Sequence, residues 1–123
     1  METPATLRQS ALDYALAMPE AWPDSPWGDP VVKVRKKIFA FIGPVSEDGR
    51  SFALTVKLPT SGHAALELPH ASPTGYGLGK SGWVSIRLTL GSLPPRGQIL
   101  HWIWESYRAV APKTLGAKVD IPE

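Results

Sequence analysis

The sequence predicts a two-layer α+β fold, an antiparallel sheet with helices on one face. Two segments, residues 51–58 and 83–90, alternate between apolar and polar residues, as half-buried antiparallel strands do. Apolar residues at helical spacing occur at both ends of the chain and between these strands. The predicted order of elements is therefore α-β-β-β-α-β-α.

The first predicted element is an amphipathic helix over residues 4–17. Thr3 supplies a capping hydroxyl, and Pro4 suits the first helical position. Residues 19–30 follow as an irregular loop, because prolines and a glycine interrupt any regular element there. The loop contains two tryptophans that are expected to pin it to the domain, Trp22 and Trp27.

Three strands come next. The segment from Val31 to Gly43 contains two of them, joined by a tight charged turn at residues 35–37. Glycine and acidic residues at 47–49 then form a turn into the third strand, residues 51–58. Its inward face is predicted to consist of Phe52, Leu54, Val56 and Leu58.

The second half of the chain begins with a short helix that starts near residue 60 and ends near residue 68. A glycine- and proline-rich loop around Tyr76 leads into the strand at residues 83–90, and prolines then open a last helix that ends near residue 110. We expect one domain over residues 1–123, with a flexible tail at residues 114–123.

Composition narrows the possible functions. The 123 residues include no cysteine, which excludes disulfides, thiolate metal sites and cysteine nucleophiles. The net charge of +2 conceals an asymmetry, because residues 1–30 have five acids and one base and the remainder is basic. No targeting or membrane-spanning segment is apparent, so we expect a cytoplasmic protein with no membrane partner.

The glycine-rich segment at residues 75–84 resembles nucleotide-binding motifs without satisfying them. Gly79-Lys80-Ser81 matches the end of a phosphate-binding loop, but position 74 is threonine and a strand follows where a helix is required. The three histidines are too far apart in sequence for a metal site within one element. We therefore expect no catalysis, no metal and no cofactor.

The outward face of the sheet is the candidate binding surface. Alternation places several basic residues and one tryptophan opposite the apolar rows, with no acid at those positions. A basic face with an aromatic ring and hydroxyls suits phosphate contact and base stacking, although an exposed sheet face is polar in any case. The candidate nucleic-acid-binding residues, including one from the nearby glycine-rich loop, are Lys33, Arg35, Lys57, Lys80, Trp83 and Arg87.

Several short segments, in this order and spacing over about residues 7–113, resemble the MmcQ/YjbR family. They are Met18-Pro19-Glu20, Trp27-Gly28-Asp29-Pro30, Val32-Lys33-Val34, Lys37-Ile38-Phe39-Ala40, the strand from Leu54 to Pro59, the segment from Gly79 to Val84, Glu105-Ser106-Tyr107-Arg108 and Ala111-Pro112-Lys113. The resemblance implies a frataxin-like or secretion-chaperone-like α+β fold. It also implies a DNA-binding role, as members are often described, and supplies no catalytic residues.

Two alternatives to nucleic-acid binding stay open. The first is a protein-interaction or chaperone-like module that uses residues 19–30 or the sheet face. The second is a small anion-binding protein in which residues 75–82 act as a lid beside Lys80. The sequence does not determine the oligomeric state.

Overall fold

The computed structural model describes residues 2–26, 28, 30–75 and 78–122. Trp27 and Tyr76, which the sequence predicts in loops, lie outside these residues. In chain order the elements are α1 (Pro4–Leu16), β1 (Ala21–Asp24), β2 (Val31–Val34), β3 (Lys37–Ile42), β4 (Ser51–Lys57), α2 (Gly62–Leu66), β5 (Ala71–Pro73), a short 3-10 helix (Leu78–Ser81), β6 (Trp83–Thr89), α3 (Arg96–Val110) and α4 (Lys113–Gly116).

All six strands form one antiparallel sheet in the order β1-β2-β3-β4-β6-β5. Helices α1 and α3 pack against each other and against the central strands, so the predicted α+β class is confirmed. None of the helices in the described residues combines the length and apolar character that a membrane span requires.

The core lies between the sheet and α3. The alternation predicted for the two long strands is confirmed, because the apolar side chains of β4 and β6 are buried and their neighbours are partly or fully exposed. Tyr107 of α3 is buried and its ring meets that of Phe39 edge-on at 5.1 Å. The buried residues contributed by β4, β6 and α3 include Phe52, Leu54, Val56, Val84, Ile86, Leu88, Ile99, Trp102 and Ile103.

Helix α1 begins as predicted. Thr3 is the N-cap, and its hydroxyl accepts the N–H of Thr6 while the Thr6 hydroxyl accepts the N–H of Thr3. This reciprocal capping box satisfies two backbone donors that would otherwise lack partners at a helix start. The buried side of the helix carries Leu7, Ala11 and Ala15.

Two strands arise where the sequence predicts loops. Strand β1 contains Pro23 and β5 contains Pro73, and both are edge strands of the sheet. Proline is tolerated at an edge because its missing N–H faces away from the neighbouring strand. The proline-rich segment 19–30 is therefore partly a strand, which brings Glu20 and Asp24 to the sheet.

Part of the C-terminal tail packs against α3. Helix α4 follows Pro112, and Leu115 and Gly116 are buried. The Trp104 indole N–H donates to the carbonyl oxygen of Val119 at 3.1 Å. These contacts attach residues 113–119 to the exposed side of the last long helix.

Candidate functional site

Four lysines converge on a groove at one end of the sheet. The β2–β3 turn, the last residue of β4, the first residue of β6 and the C-terminal turn of α3 meet there around about 450 Å³ of open space. We call this feature the lysine groove. It is lined by Lys33, Lys36, Lys37, Lys57, Trp83, Ile38, Pro26, Ala109 and Val110, none of which is acidic.

The groove opens where the pairing between β3 and β4 stops. Their register runs from Ile42 opposite Leu54 to Ala40 opposite Val56. On the other side of β3 the register shifts, so that Val32 lies opposite Ala40 while Lys33 lies opposite Ile38. Phe39 is thus the extra residue of a β-bulge, which bends the strand and interrupts the ladder.

A serine from α3 occupies the interruption. The Ser106 hydroxyl donates to the carbonyl oxygen of Phe39 and accepts the N–H of Lys57 at 2.8 Å. Ser106 is fully buried, so this hydroxyl satisfies two backbone groups that the strands no longer satisfy for each other. Ile38 and Lys57, which lie just beyond the last β3–β4 pair, both line the groove.

Lys33 is the most constrained of the four lysines. Its ammonium lies 3.1 Å from an Asp24 carboxylate oxygen and 5.0 Å above the ring of Trp22. The Ser25 N–H and Lys33 together hold the pKa of Asp24 below its ordinary value. Strand β1 thus supplies an acid to the predicted basic face, which sequence alternation in the other strands could not show.

The other three groove lysines have no carboxylate partner among the described residues. Lys36 and Lys37 are exposed. Lys57 is partly buried, as is usual for a lysine whose aliphatic stem lies along the protein surface. Sequence reasoning missed the first two as site residues because they were assigned to a charged turn. The run of three bases at 35–37 could have indicated them as site residues. A turn between two central strands projects its side chains at the end of the sheet, where the groove lies.

Arg35 points away from the groove although it adjoins Lys36. Its backbone is left-handed, with φ of 55°, and its carbonyl oxygen accepts the Trp22 indole N–H at 2.7 Å. The guanidinium donates to both carboxylate oxygens of Glu20, at 3.0 and 3.2 Å. This ion pair lowers the pKa of Glu20. The charge of Arg35 is therefore already paired with a carboxylate of the protein.

Arg87 and Lys80 lie elsewhere on the molecule. Arg87 is four residues along β6 from Trp83, about 13 Å at strand spacing, and it donates to the Ser51 hydroxyl at 3.1 Å. Lys80 is exposed in the 3-10 helix. The structure therefore brings together three of the six predicted site residues, Lys33, Lys57 and Trp83.

The described part of the glycine-rich segment uses several of its N–H groups internally. Leu78 donates to Gly75, Gly79 to Thr74 and Gly82 to Gly79, each through backbone atoms. A Cβ at Gly79 would lie 2.8 Å from the Pro73 side chain, so this glycine allows close packing. Because a phosphate cradle needs free N–H groups, these three donors are not available for one.

The outer sheet face beside the groove carries aromatic and hydroxyl groups. Trp83 meets Phe41 edge-on with ring centroids 5.8 Å apart. The Ser85 hydroxyl lies 3.0 Å from that of Thr55 and 2.9 Å from that of Thr74, which links β4, β6 and the end of β5. The indole thus stands between the lysines and a polar, uncharged surface.

A second depression, which contains an exposed arginine, adjoins the groove on α3. It encloses about 430 Å³ and is lined by Pro59, Thr60, His101, Trp104, Glu105, Arg108 and Ala109. The Arg108 guanidinium lies 5.1 Å above the ring of Trp104, and the His101 ring lies 5.2 Å from the same indole. We call it the α3 cleft.

The carboxylate that lines the α3 cleft, that of Glu105, already accepts hydrogen bonds from within the protein. Glu105 is buried and its carboxylate accepts the N–H groups of Thr60 and Ser61 and the Ser61 hydroxyl, at 2.9, 2.9 and 2.6 Å. It thereby anchors the start of α2. Among the described residues, no group of three or more His, Asp or Glu side chains is placed to hold a metal ion.

A third depression, between α2 and the start of α3, has a different character. It encloses about 440 Å³, and its lining includes Ala64, Leu68, Ile86, Leu88 and Trp102. Its surface is largely apolar, although its lining includes the predicted site residue Arg87. A further depression, lined among others by Arg35 and Lys113, shares Lys36 and Lys37 with the lysine groove, so basic residues cluster on this side of the molecule.

The chain resembles proteins of known family and structure. The fold is similar to that in the crystal structure of the Deinococcus radiodurans protein DR2400, whose family-model domain is DUF419, with a TM-score of 0.65, 23% sequence identity, and coverage of 99% of this chain and 91% of that chain. No curated protein matches the chain significantly. The family model of YjbR matches residues 16–109, which include all four lysines of the groove and the lining of the α3 cleft, and the chain therefore belongs to the YjbR family.

Proposed function

We propose that this protein binds nucleic acid and that the lysine groove is its phosphate-contacting site. The observation that carries the proposal is the convergence of four lysines on one open groove whose lining contains no acid. Lys36, Lys37 and Lys57 make no ion pair among the described residues, whereas Lys33 is paired with Asp24. Lysine ammonium groups contact phosphate oxygens as point charges, without requiring one fixed orientation. A row of them suits a backbone that presents one phosphate after another.

The position of Trp83 favours nucleic acid over a free phosphate. The indole lines the same groove as the lysines and borders the outer sheet face, so a base could stack on it while the adjoining phosphates contact Lys37 and Lys57. The DNA-binding role implied by the family resemblance is consistent with this arrangement. Binding of this kind requires neither catalysis nor a cofactor, and the proposal includes a cytoplasmic location.

The test measures affinity for fluorescently labelled DNA and RNA at several salt concentrations. Phosphate contacts release counterions, so affinity should fall steeply between about 50 and about 200 mM salt. The double variant Lys37→Glu, Lys57→Glu should bind at least about tenfold more weakly at the lower salt concentration, because it replaces two attractive charges with repulsive ones.

The matched control is Arg50→Glu, an exposed position in the turn before β4, at the opposite end of that strand from Lys57. It makes the same kind of charge reversal away from the groove and should change affinity less than about twofold. Because the double variant changes the net charge by four units and Arg50→Glu by two, a loss half as large in log affinity for Arg50→Glu would show that only net charge matters. Affinity insensitive to salt and to the double variant would refute the proposal.

A further inference from the structure

We propose that the bound nucleic acid is single-stranded and that its path continues from the lysine groove into the α3 cleft. This inference rests on the proposed function and adds the ligand class and the second half of the site. Ala109 lines both depressions. Lys57 in the groove and Pro59 in the cleft are two residues apart, so the two surfaces adjoin along the end of β4.

Both depressions combine a positive charge with an indole. In the lysine groove, Lys57 lies opposite Trp83 across β4 and β6. In the α3 cleft, Arg108 lies over the ring of Trp104. A single strand presents a phosphate and an unpaired base at every nucleotide, so a repeated combination of cation and flat ring matches its chemistry.

The α3 cleft presents Arg108 to solvent, while its one carboxylate is held by hydrogen bonds at the start of α2. Glu105 accepts three hydrogen bonds from Thr60 and Ser61, which leaves Arg108 exposed and free of ion pairs among the described residues. Guanidinium planes are surfaces on which unpaired bases stack in many nucleic-acid complexes. Arg108 can therefore contact a base through its face or a phosphate through its edge.

A duplex fits this arrangement less well. Its bases are stacked inside the helix, where neither Trp83 nor Trp104 could reach a base face. A duplex would use only the lysines, whereas a single strand would use the lysines and both rings. We therefore expect a preference for single strands and a dependence on strand length.

The experiment compares labelled oligothymidylates of about 4 and about 12 nucleotides with a duplex of about 12 base pairs. The longer single strand should bind at least about fivefold more tightly than either the shorter strand or the duplex. Arg108→Gln should weaken binding of the longer strand about five- to tenfold. It should leave the affinity for the shorter strand unchanged. Lys57→Glu should weaken both strands, and Arg50→Glu serves as the control.

The outcomes separate this inference from the proposed function. Failure of every oligonucleotide to bind the wild-type protein would refute both. Binding that depends on Lys57 but is unaffected by Arg108→Gln, or that favours the duplex, would refute the extended single-stranded path and leave the lysine groove supported. Because Arg108 also contacts Gly116, its variant is compared with wild type in thermal unfolding, and Arg108→Lys is measured as a second substitution that keeps the charge.

Discussion

The Ser106 hydroxyl of α3 donates a hydrogen bond to the backbone carbonyl oxygen of Phe39 in β3, and this contact occurs where the sheet opens. The same hydroxyl accepts the N–H of Lys57, the β4 residue that lines the lysine groove. A helix side chain thus replaces one step of the strand ladder. One buried oxygen atom therefore supports three features of this region. They are the bulge at Phe39, the end of the β3–β4 pairing and the position of Lys57.

Replacement of Ser106 by alanine should therefore destabilise the protein. The substitution leaves the Phe39 carbonyl and the Lys57 N–H in the core without their partner, and an unsatisfied buried polar group costs about 1–3 kcal/mol. Urea denaturation should show a loss in that range. Ser92→Ala, at an exposed serine, is the control and should change the free energy of unfolding by less than about 0.5 kcal/mol. A loss for Ser106→Ala no larger than the control's would contradict the role assigned to this hydroxyl.

Glu105 should hold α2 in place. Its alanine variant leaves two backbone N–H groups and one hydroxyl without their acceptor, so we expect a loss of about 2–3 kcal/mol in the free energy of unfolding. Glu105→Gln keeps one acceptor oxygen and should lose less. Hydrogen exchange should be faster in the alanine variant than in wild type. The increase in exchange rate at residues 62–66 should be larger than any increase in β4. Uniform exchange changes over the whole chain would argue against a local anchoring role.

Part of this architecture follows directly from the sequence. Alternation over residues 51–58 and 83–90 identifies β4 and β6, because a period of two has one structural meaning in a half-buried strand. The apolar positions within both strands are buried, whereas Leu90, which the alternation also places inward, lies beyond the end of β6 and is exposed. Thr3 and Pro4 locate the start of α1 for a similarly local reason.

The candidate site was only partly predictable, because it depends on contacts between distant segments. The run from Ile38 to Ile42 is apolar throughout, so it contains no alternation that could locate the bulge at Phe39. The prolines of residues 19–30 indicate a loop, so the sequence does not predict β1. It therefore does not predict the contacts of Asp24 with Lys33 and of Glu20 with Arg35 either. Those pairings decide which basic residues remain available, and no local pattern encodes them.

Acid should weaken the attachment of β1 to the β2–β3 turn. Hydrogen bonds from Arg35 hold the pKa of Glu20 below its ordinary value of 4.5, so the carboxylate stabilises the folded state fully above that pH and loses its contribution as the pH falls through the lowered pKa. Stability measured by urea denaturation should decline from about pH 5 towards about pH 3. Glu20→Gln should show a shallower decline than wild type, whereas Glu47→Gln, at an exposed acid in the turn before β4, should not.

Trp83 and Lys37 should contribute to nucleic-acid binding in ways that salt distinguishes. Stacking on an indole involves no counterion release, so Trp83→Leu should lower affinity at every salt concentration and leave the slope of log affinity against log salt unchanged. Removal of a phosphate contact in Lys37→Gln should instead reduce that slope by about 0.7 for a single strand. The expected loss for Trp83→Leu is about 1–3 kcal/mol of binding free energy, partly restored in Trp83→Phe.

These two variants are best measured as a pair at three or more salt concentrations, with thermal unfolding to confirm that both remain folded. Trp83 also contacts Phe41, and Trp83→Phe keeps an aromatic ring beside it, which separates loss of stacking from loss of packing. If Trp83→Leu changed the salt slope as Lys37→Gln does, the indole would be acting by shaping the groove for the lysines. An unchanged affinity in both variants would place the binding surface outside the lysine groove.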